Sequence, residues 1–263
     1  MKSQSLLPDD QILYDDGLLR ALRGSLLSSQ LQVLCVIGAH RFDELSLVNR
    51  LFPSLRAIYL FEPQAAPLDA LYRLAARDPR IKVFPVAVSD TDGTASFHVA
   101  SNAGESSSLL QLGSHRQHFP HVTMQQSIEV PTRRLDSVLA EHRLEFPDVM
   151  IVDVQGAEYM VLKSFSTDVL DHLRLIYTEV STEAIYESSG LLPQVEELLA
   201  PRFVNLGFAA INADVPMHGN AAFVARPDVG QALAMTRRER LRRAFHRMKR
   251  RLRERGTGPE GRR

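Results

Sequence analysis

The chain has no tryptophan and one cysteine in 263 residues. A single thiol, Cys35, excludes an internal disulfide framework and a cysteine-rich zinc site. It falls inside a short apolar run, where a free cysteine behaves as a small buried hydrophobe. No apolar stretch approaches the ~18 residues needed to span a bilayer, and no basic-plus-apolar leader precedes the first acidic residues, so the expected location is cytoplasmic. Also missing is G-x-G-x-x-G, the glycine pattern of nicotinamide-binding strands: only Gly38 stands where it would begin. Net charge is zero as well, but this absence conceals a division. Residues 237–263 carry 13 Arg/Lys against 3 acids, a balance of +10, and the remaining residues hold −10. Body and tail are therefore different surfaces.

What is present is an alternation of apolar runs and helical patterns. Hydrophobic residues make up 44% of the chain, enough for the core of one large α/β domain. Strands are expected at 33–37, 57–61, within 81–88 (interrupted by Pro85), 148–153 and 173–180. Helical patterns lie over 43–51, 66–77, 135–143, 157–165 and 192–199. Two last strands, 203–211 and 221–225, flank the turn-rich 212–220 and predict a terminal antiparallel hairpin. Residues 94–99 alternate and could pair with 128–132. Between them, 100–126 is long and polar for a compact domain, as lids and binding loops are. The fold class expected is α/β, a mostly parallel, doubly wound sheet with an antiparallel edge. Domain organisation follows: an N-terminal helical extension over 1–30 (helix-spaced apolar positions from Asp9 to Leu27), a main domain over 31–226, and a basic tail over 227–263.

Ligands of such sheets bind at the carboxyl ends of the strands. Three ends here are loaded. The run Val33–Ile37 closes in Gly38-Ala39-His40, the run Ala57–Phe61 in Glu62-Pro63, and Val149–Val152 in Asp153-Val154-Gln155-Gly156-Ala157-Glu158. Glu62 comes 24 positions after Gly38, close to the roughly 20-residue offset at which an acid meets ribose hydroxyls. Gly38 permits close backbone approach to a ligand. Asp153 and Glu158 are candidate acid–base groups, although acids at helix N-termini also stabilise the helix dipole with no ligand at all. A further strand, 173–180, carries Glu179 near its end.

The segments Val36-Ile37-Gly38-Ala39-His40, Phe61-Glu62-Pro63, Ala87-Val88-Ser89-Asp90 with Gly93, Ser106-Ser107-Ser108-Leu109, Leu135-Asp136 and Val152 through Glu158 together resemble the FkbM-type methyltransferases, over residues 30–226. The resemblance implies a Rossmann-like class I methyltransferase fold with a seven-stranded sheet and S-adenosyl-L-methionine as cofactor. It implies O-methylation of a hydroxyl on a sugar, glycan or related natural product. Position by position, Gly38, Ala39 and His40 would border the methionine part of the cofactor, and Glu62 with Pro63 would meet the ribose. Ala87, Val88 and Ser89 would flank the adenine, and Asp153 would face the reacting centre. Asp153, Glu158 and His40 are the candidate catalytic residues. The chain departs from the family at Val36, where an acid is usual, at His40 in place of Asn, at Phe42 in place of glycine, and at Gln155 in place of glutamate. Those departures motivate an alternative, a non-catalytic methyltransferase-fold scaffold in a biosynthetic complex.

His115, His118 and His121 drift around a helix rather than sharing a face, and Pro120 interrupts it, so no metal site is expected there. In the tail, Leu241, Phe245, Met248 and Leu252 form one seam among arginines. Over 237–253 such a helix suits an anionic membrane surface, with nucleic acid a weaker expectation; packing on the acidic body is the plainer one.

Overall fold

The computed structural model describes residues 25–211 and 213–234; the tail seam and nearly all of the N-terminal helix expected from Asp9 lie outside them. Five parallel strands form the heart of the molecule: β1 (Val33–Ile37), β2 (Ala57–Phe61), β3 (Ile81–Phe84), β7 (Val149–Val152) and β8 (Leu175–Ser181). With β9 (Phe203–Ala210) and β10 (His218–Ala225) they make one sheet in the order β3-β2-β1-β7-β8-β10-β9, in which β10 runs antiparallel to both neighbours. The strand order reverses at β1, which pairs with β2 on one side and β7 on the other. That reversal opens a crevice at the carboxyl edge.

The continuous apolar runs arise because both faces are covered. In β1, Val33, Cys35 and Ile37 join one core, with α4 (Leu135–Glu141), α5 (Glu158–Lys163) and α7 (Leu192–Leu199). Leu34 and Val36 point into the other, with α1 (Leu45–Leu51), α2 (Ala65–Ala75) and α8 (Val229–Leu233). Cys35 is fully buried, and burial pushes its thiol pKa far up. Two more α-helices, α3 (His115–His118) and α6 (Thr167–His172), and a 3-10 turn at Arg226–Asp228 complete the set among the described residues.

The second core continues beyond 31–226. Leu27, Leu31 and Ala232 are buried in it, and Leu26 and Leu27 donate backbone bonds to Ala234 and Gln231. Arg174 forks onto Asp228 at 2.9 and 2.7 Å and ties this segment to the start of β8.

One sequence expectation needs correction, the start of the last strand. The strand expected within 81–88 is β3, interrupted at Pro85 as expected, after which the chain crosses to a second sheet, where β4 (Ala87–Val88) pairs with β6 (Met124–Arg133) and β6 with β5 (Gly93–Ala100). Proline has no N–H for a ladder, so the strand stops there. The last strand begins at His218, not Ala221, because His218 and Asn220 pair with Ser181 and Glu179 at the site edge of the sheet, where polar side chains have partners.

Candidate active site

Three turns at the carboxyl edge build one cavity of about 570 Å³, within the range of small-molecule sites. Its walls include Gly38, Ala39, His40, Glu62, Pro63, Ala87, Val88, Asp153, Gln155, Glu179 and His218. Ser89 stands outside this lining, since its N–H bonds Arg133 across β4 and β6.

The first turn is left-handed at three places, with φ of +84° at Gly38, +44° at His40 and +49° at Phe42. A Cβ at Gly38 would stand 1.7 Å from the carbonyl oxygen of Asp153, so no other residue fits between β1 and β7. Phe42 tolerates its conformation because its ring is buried in the core that holds Leu34 and Val36, and its N–H closes the turn on Ala39 at 2.9 Å. The bulky departure from glycine thus serves as a core anchor. It borders the cavity without filling it.

Glu62 organises the second turn. One carboxylate oxygen accepts the His40 N–H and the other the Gln64 N–H, each at 2.8 Å. Burial raises its pKa, against the lowering effect of those two bonds. Each oxygen keeps a lone pair for a further donor, as a diol requires. The His40 ring reaches across to the Ala103 carbonyl, with Nε2 at 3.2 Å, and Gln64 Nε2 donates to the Gly104 carbonyl at 3.2 Å. Both pin the long 101–123 loop over the cavity. His40 thereby stands with the first and second turns, bonded to none of the carboxylates around Asp153.

The third turn gathers buried carboxylates. Val152 pairs with Thr178, so Asp153 and Glu179 are the next residues in register on neighbouring strands. Gln155 Nε2 donates to Asp153 Oδ1 at 2.7 Å and to Glu179 Oε2 at 2.8 Å, while its own oxygen accepts the Tyr186 hydroxyl at 2.7 Å. Glu179 Oε1 lies 3.1 Å from His218 Nε2, and His218 Nδ1 meets Ser181 Oγ at 2.9 Å. Glu158 is beneath the turn, outside the cavity lining, where Oε1 accepts the N–H groups of Val154 and Gly156, both at 3.0 Å. Gly156 is required twice over: its φ is +100°, and a Cβ would come within 2.6 Å of the Tyr186 ring.

Three carboxylates in so small a volume cannot all be charged cheaply. Burial, then the Glu179 charge, raises Asp153 well above the usual range. Burial, then Glu179, raises Glu158 to about 7. Burial opposes a charged His218, but Glu179 outweighs it and raises that imidazole. Acceptor atoms of Asp153, Glu158 and Glu179 all lie within 4.8 Å of one another, yet each acid already holds protein donors. The three loop histidines form no such group among the described residues; His115 is buried, whereas His121 is exposed.

Tyr186 and His218 were not singled out from the sequence. Their link to Glu179 and Gln155 comes from a loop and an antiparallel pairing, neither of which leaves a spacing signal. In the serine run, Ser107 Oγ accepts the Ala100 N–H at 3.0 Å and Ser108 Oγ donates to the Val154 carbonyl at 3.3 Å, while Ser106 and Ser107 border the cavity.

Comparison with known proteins agrees with this geometry. Residues 37–209 match the methyltransferase FkbM domain family. The chain is 33% identical over 190 residues to the 2-O-methyltransferase NoeI of Sinorhizobium fredii, covering 66% of this chain and 74% of that protein. The crystal structure of methyltransferase FkbM from Methylobacillus flagellatus superposes with a TM-score of 0.51 at 14% identity, over 83% of this chain. The chain spans about half of that structure, 48%, and the likeness speaks for the fold alone. A glycine turn at the strand-order reversal, an acid on the second strand and a buried carboxylate on the strand beyond are thus set in a matching family domain: the chain belongs to the FkbM methyltransferases, which use S-adenosyl-L-methionine.

Proposed function

We propose that this chain O-methylates a hydroxyl of a sugar, glycan or related natural-product acceptor, with Asp153 receiving the hydroxyl proton. The observation that carries the reading is the Asp153 carboxylate itself: it borders the cavity beside the Gly38 turn, steadied by Gln155, and burial raises its affinity for a proton, as a proton acceptor requires. The 2-O-methyltransferase relative supports oxygen as the methylated atom.

The residues present fit the cofactor. A side-chain-free backbone at Gly38 gives close approach, and Glu62 offers two lone pairs to a ribose diol. Ala87 and Val88 supply an apolar flank for a purine. When bound, S-adenosyl-L-methionine supplies an electrophilic methyl group. This chain's part is alignment and desolvation, effects worth ~7–11 kcal/mol in favourable systems, together with proton acceptance, worth roughly 10²–10⁴-fold. Gln155 keeps the Asp153 carboxylate oriented. His218 and Glu179 supply a neighbouring ion pair that absorbs charge. Glu158 holds the turn through two N–H bonds and thus acts as a positioning residue.

Calorimetry with S-adenosylhomocysteine tests the cofactor half. Binding should be measurable in the wild type and weakened by Glu62→Ala, which removes charge-assisted bonds of ~1.5–3 kcal/mol each. Asp153→Asn should bind the cofactor nearly as well and lose ~10²–10⁴-fold in turnover. A folded wild type that binds no cofactor at millimolar concentration would return the chain to the scaffold reading.

A further inference from the structure

His115 Nδ1 is the one buried side-chain nitrogen or oxygen without a hydrogen-bond partner among the described residues. The residue is 3% exposed, yet it lines the same cavity as Asp153, Gln155 and Glu179. Such an orphan costs ~1–3 kcal/mol, and an unpaired polar atom in a native fold calls for an explanation. Disorder of the ring is not one. The His115 N–H donates to the Ile185 carbonyl at 3.0 Å, Ser114 Oγ donates to the Ala184 carbonyl at 2.7 Å, and the imidazole packs on Phe119 and Tyr186 at 4.8 and 5.2 Å. Burial, reinforced by His218, lowers its pKa to about 4. The ring is therefore neutral at physiological pH, with one N–H and one lone pair to offer.

The charge around it restricts the partner. Asp43, Glu44, Glu62, Glu105, Asp153 and Glu179 line the cavity, and Arg41 is the sole Arg or Lys among the described lining residues. A phosphate or carboxylate on the acceptor would meet this acidic wall with Arg41 alone to oppose it, since any charge on His218 is paired with Glu179. A neutral imidazole beside an aromatic face suits a hydroxyl on an uncharged ring, which presents an apolar face and a polar edge together.

We propose that His115 is the acceptor-recognition residue, its Nδ1 hydrogen-bonding a second hydroxyl of an uncharged sugar ring while another hydroxyl is presented to Asp153. This deepens the methyltransferase reading and rests on it. It also makes the 101–123 loop a specificity element, in which one short helix delivers a fixed imidazole.

Imidazole ¹⁵N spectra of the full chain, titrated with a panel of uncharged methyl glycosides and with methyl glucuronide and glucose 6-phosphate, test it directly. At least one uncharged glycoside should move the His115 resonances and leave those of exposed His142 in place, and the two anionic sugars should not. His115→Phe keeps a ring against Phe119 and Tyr186 and removes the orphan nitrogen. It should melt at or above the wild-type temperature, bind S-adenosylhomocysteine within twofold of wild type, and bind the glycoside about tenfold more weakly, as expected for one lost hydrogen bond. His115→Asn, whose amide can reach the Nδ1 position, should recover part of that loss. Glycoside binding that leaves His115 unmoved, equal binding of the anionic sugars, or no response to any uncharged glycoside would each overturn the proposal. Failure of the methyltransferase reading has a separate signature, the absence of S-adenosylhomocysteine binding.

Discussion

Asp153 and Glu179 share one donor: Gln155 Nε2 lies 2.7 Å from the first and 2.8 Å from the second. The sharing follows from strand register, which sets the two acids side by side at the ends of β7 and β8. An amide can serve both because it carries two N–H groups in every protonation state.

Gln155→Glu places at this position the residue usual in the family and tests that point. A protonated glutamate has one O–H to give, and an ionised one has none. The variant should approach wild-type turnover at mildly acid pH and fall behind by roughly tenfold or more at pH 8, the scale of a lost charge-assisted bond. Wild-type turnover should rise with pH, since Asp153, raised by burial, must release its proton to work. Superimposable pH–rate curves for the two proteins would show that the shared amide has no part in the reaction.

Stability should carry the mark of Glu158. Its pKa rises from 4.5 to about 7 on folding, chiefly through burial. Between those values the folded chain retains a proton that the unfolded chain has released, so this group's contribution falls as pH increases across the window. His115, lowered to about 4 by burial, contributes in the opposite sense, but equally in a Glu158→Gln variant. That variant keeps a carbonyl for the Val154 and Gly156 N–H groups. Melting temperatures from pH 4.5 to 7.5 should therefore decline relative to the variant; a constant difference would refute the assignment.

Phe42→Gly should destabilise the fold in spite of relieving a left-handed residue. Relief returns ~1–2 kcal/mol, whereas deleting a buried phenyl ring costs ~3–5 kcal/mol. A net loss of about 2–3 kcal/mol in denaturant unfolding is expected. Unchanged or increased stability would mean that the ring contributes little to the core.

The sequence of residues 237–253, which lie outside the described residues, carries the expectation of an anionic membrane surface as partner, and truncation tests it. Removing 237–263 takes away 13 basic and 3 acidic side chains and leaves Gln231 and Ala234, which accept the Leu27 and Leu26 N–H groups, in place. The truncated chain should fold and bind cofactor. The full chain should sediment with anionic vesicles, weakly with neutral ones, and partly even at 1 M salt, where the Debye length is ~3 Å and the Leu241, Phe245, Met248 and Leu252 seam alone remains. Complete release by salt would indicate a purely electrostatic partner, and unfolding on truncation would place the seam against the core. Among the described residues, no helix is long and apolar enough to cross a membrane.

Much of the fold was legible because each central strand is an apolar run closed by a turn residue, and Gly38, Glu62 and Asp153 announced themselves as polar breaks at those ends. The sequence said less where partners are distant. Nothing local tells that Ala87–Val88 leaves the main sheet, or that His218 returns beside Glu179. The histidine spacing at 115, 118 and 121 invited a question about metals, when burial of His115 alone was the informative fact. Gln155 read as a lost charge; its geometry shows a gained donor.

The 1.7 Å that would separate a Cβ at Gly38 from the Asp153 carbonyl has an evolutionary consequence. The turn proposed to accommodate the cofactor and the strand end proposed to bear the acceptor's base are pressed backbone to backbone, with no side chain between them to absorb a change. A substitution at Gly38 would displace both together. On the proposed reading, acceptors can diversify through the 101–123 loop, whereas the junction of β1 and β7 must be inherited as one piece.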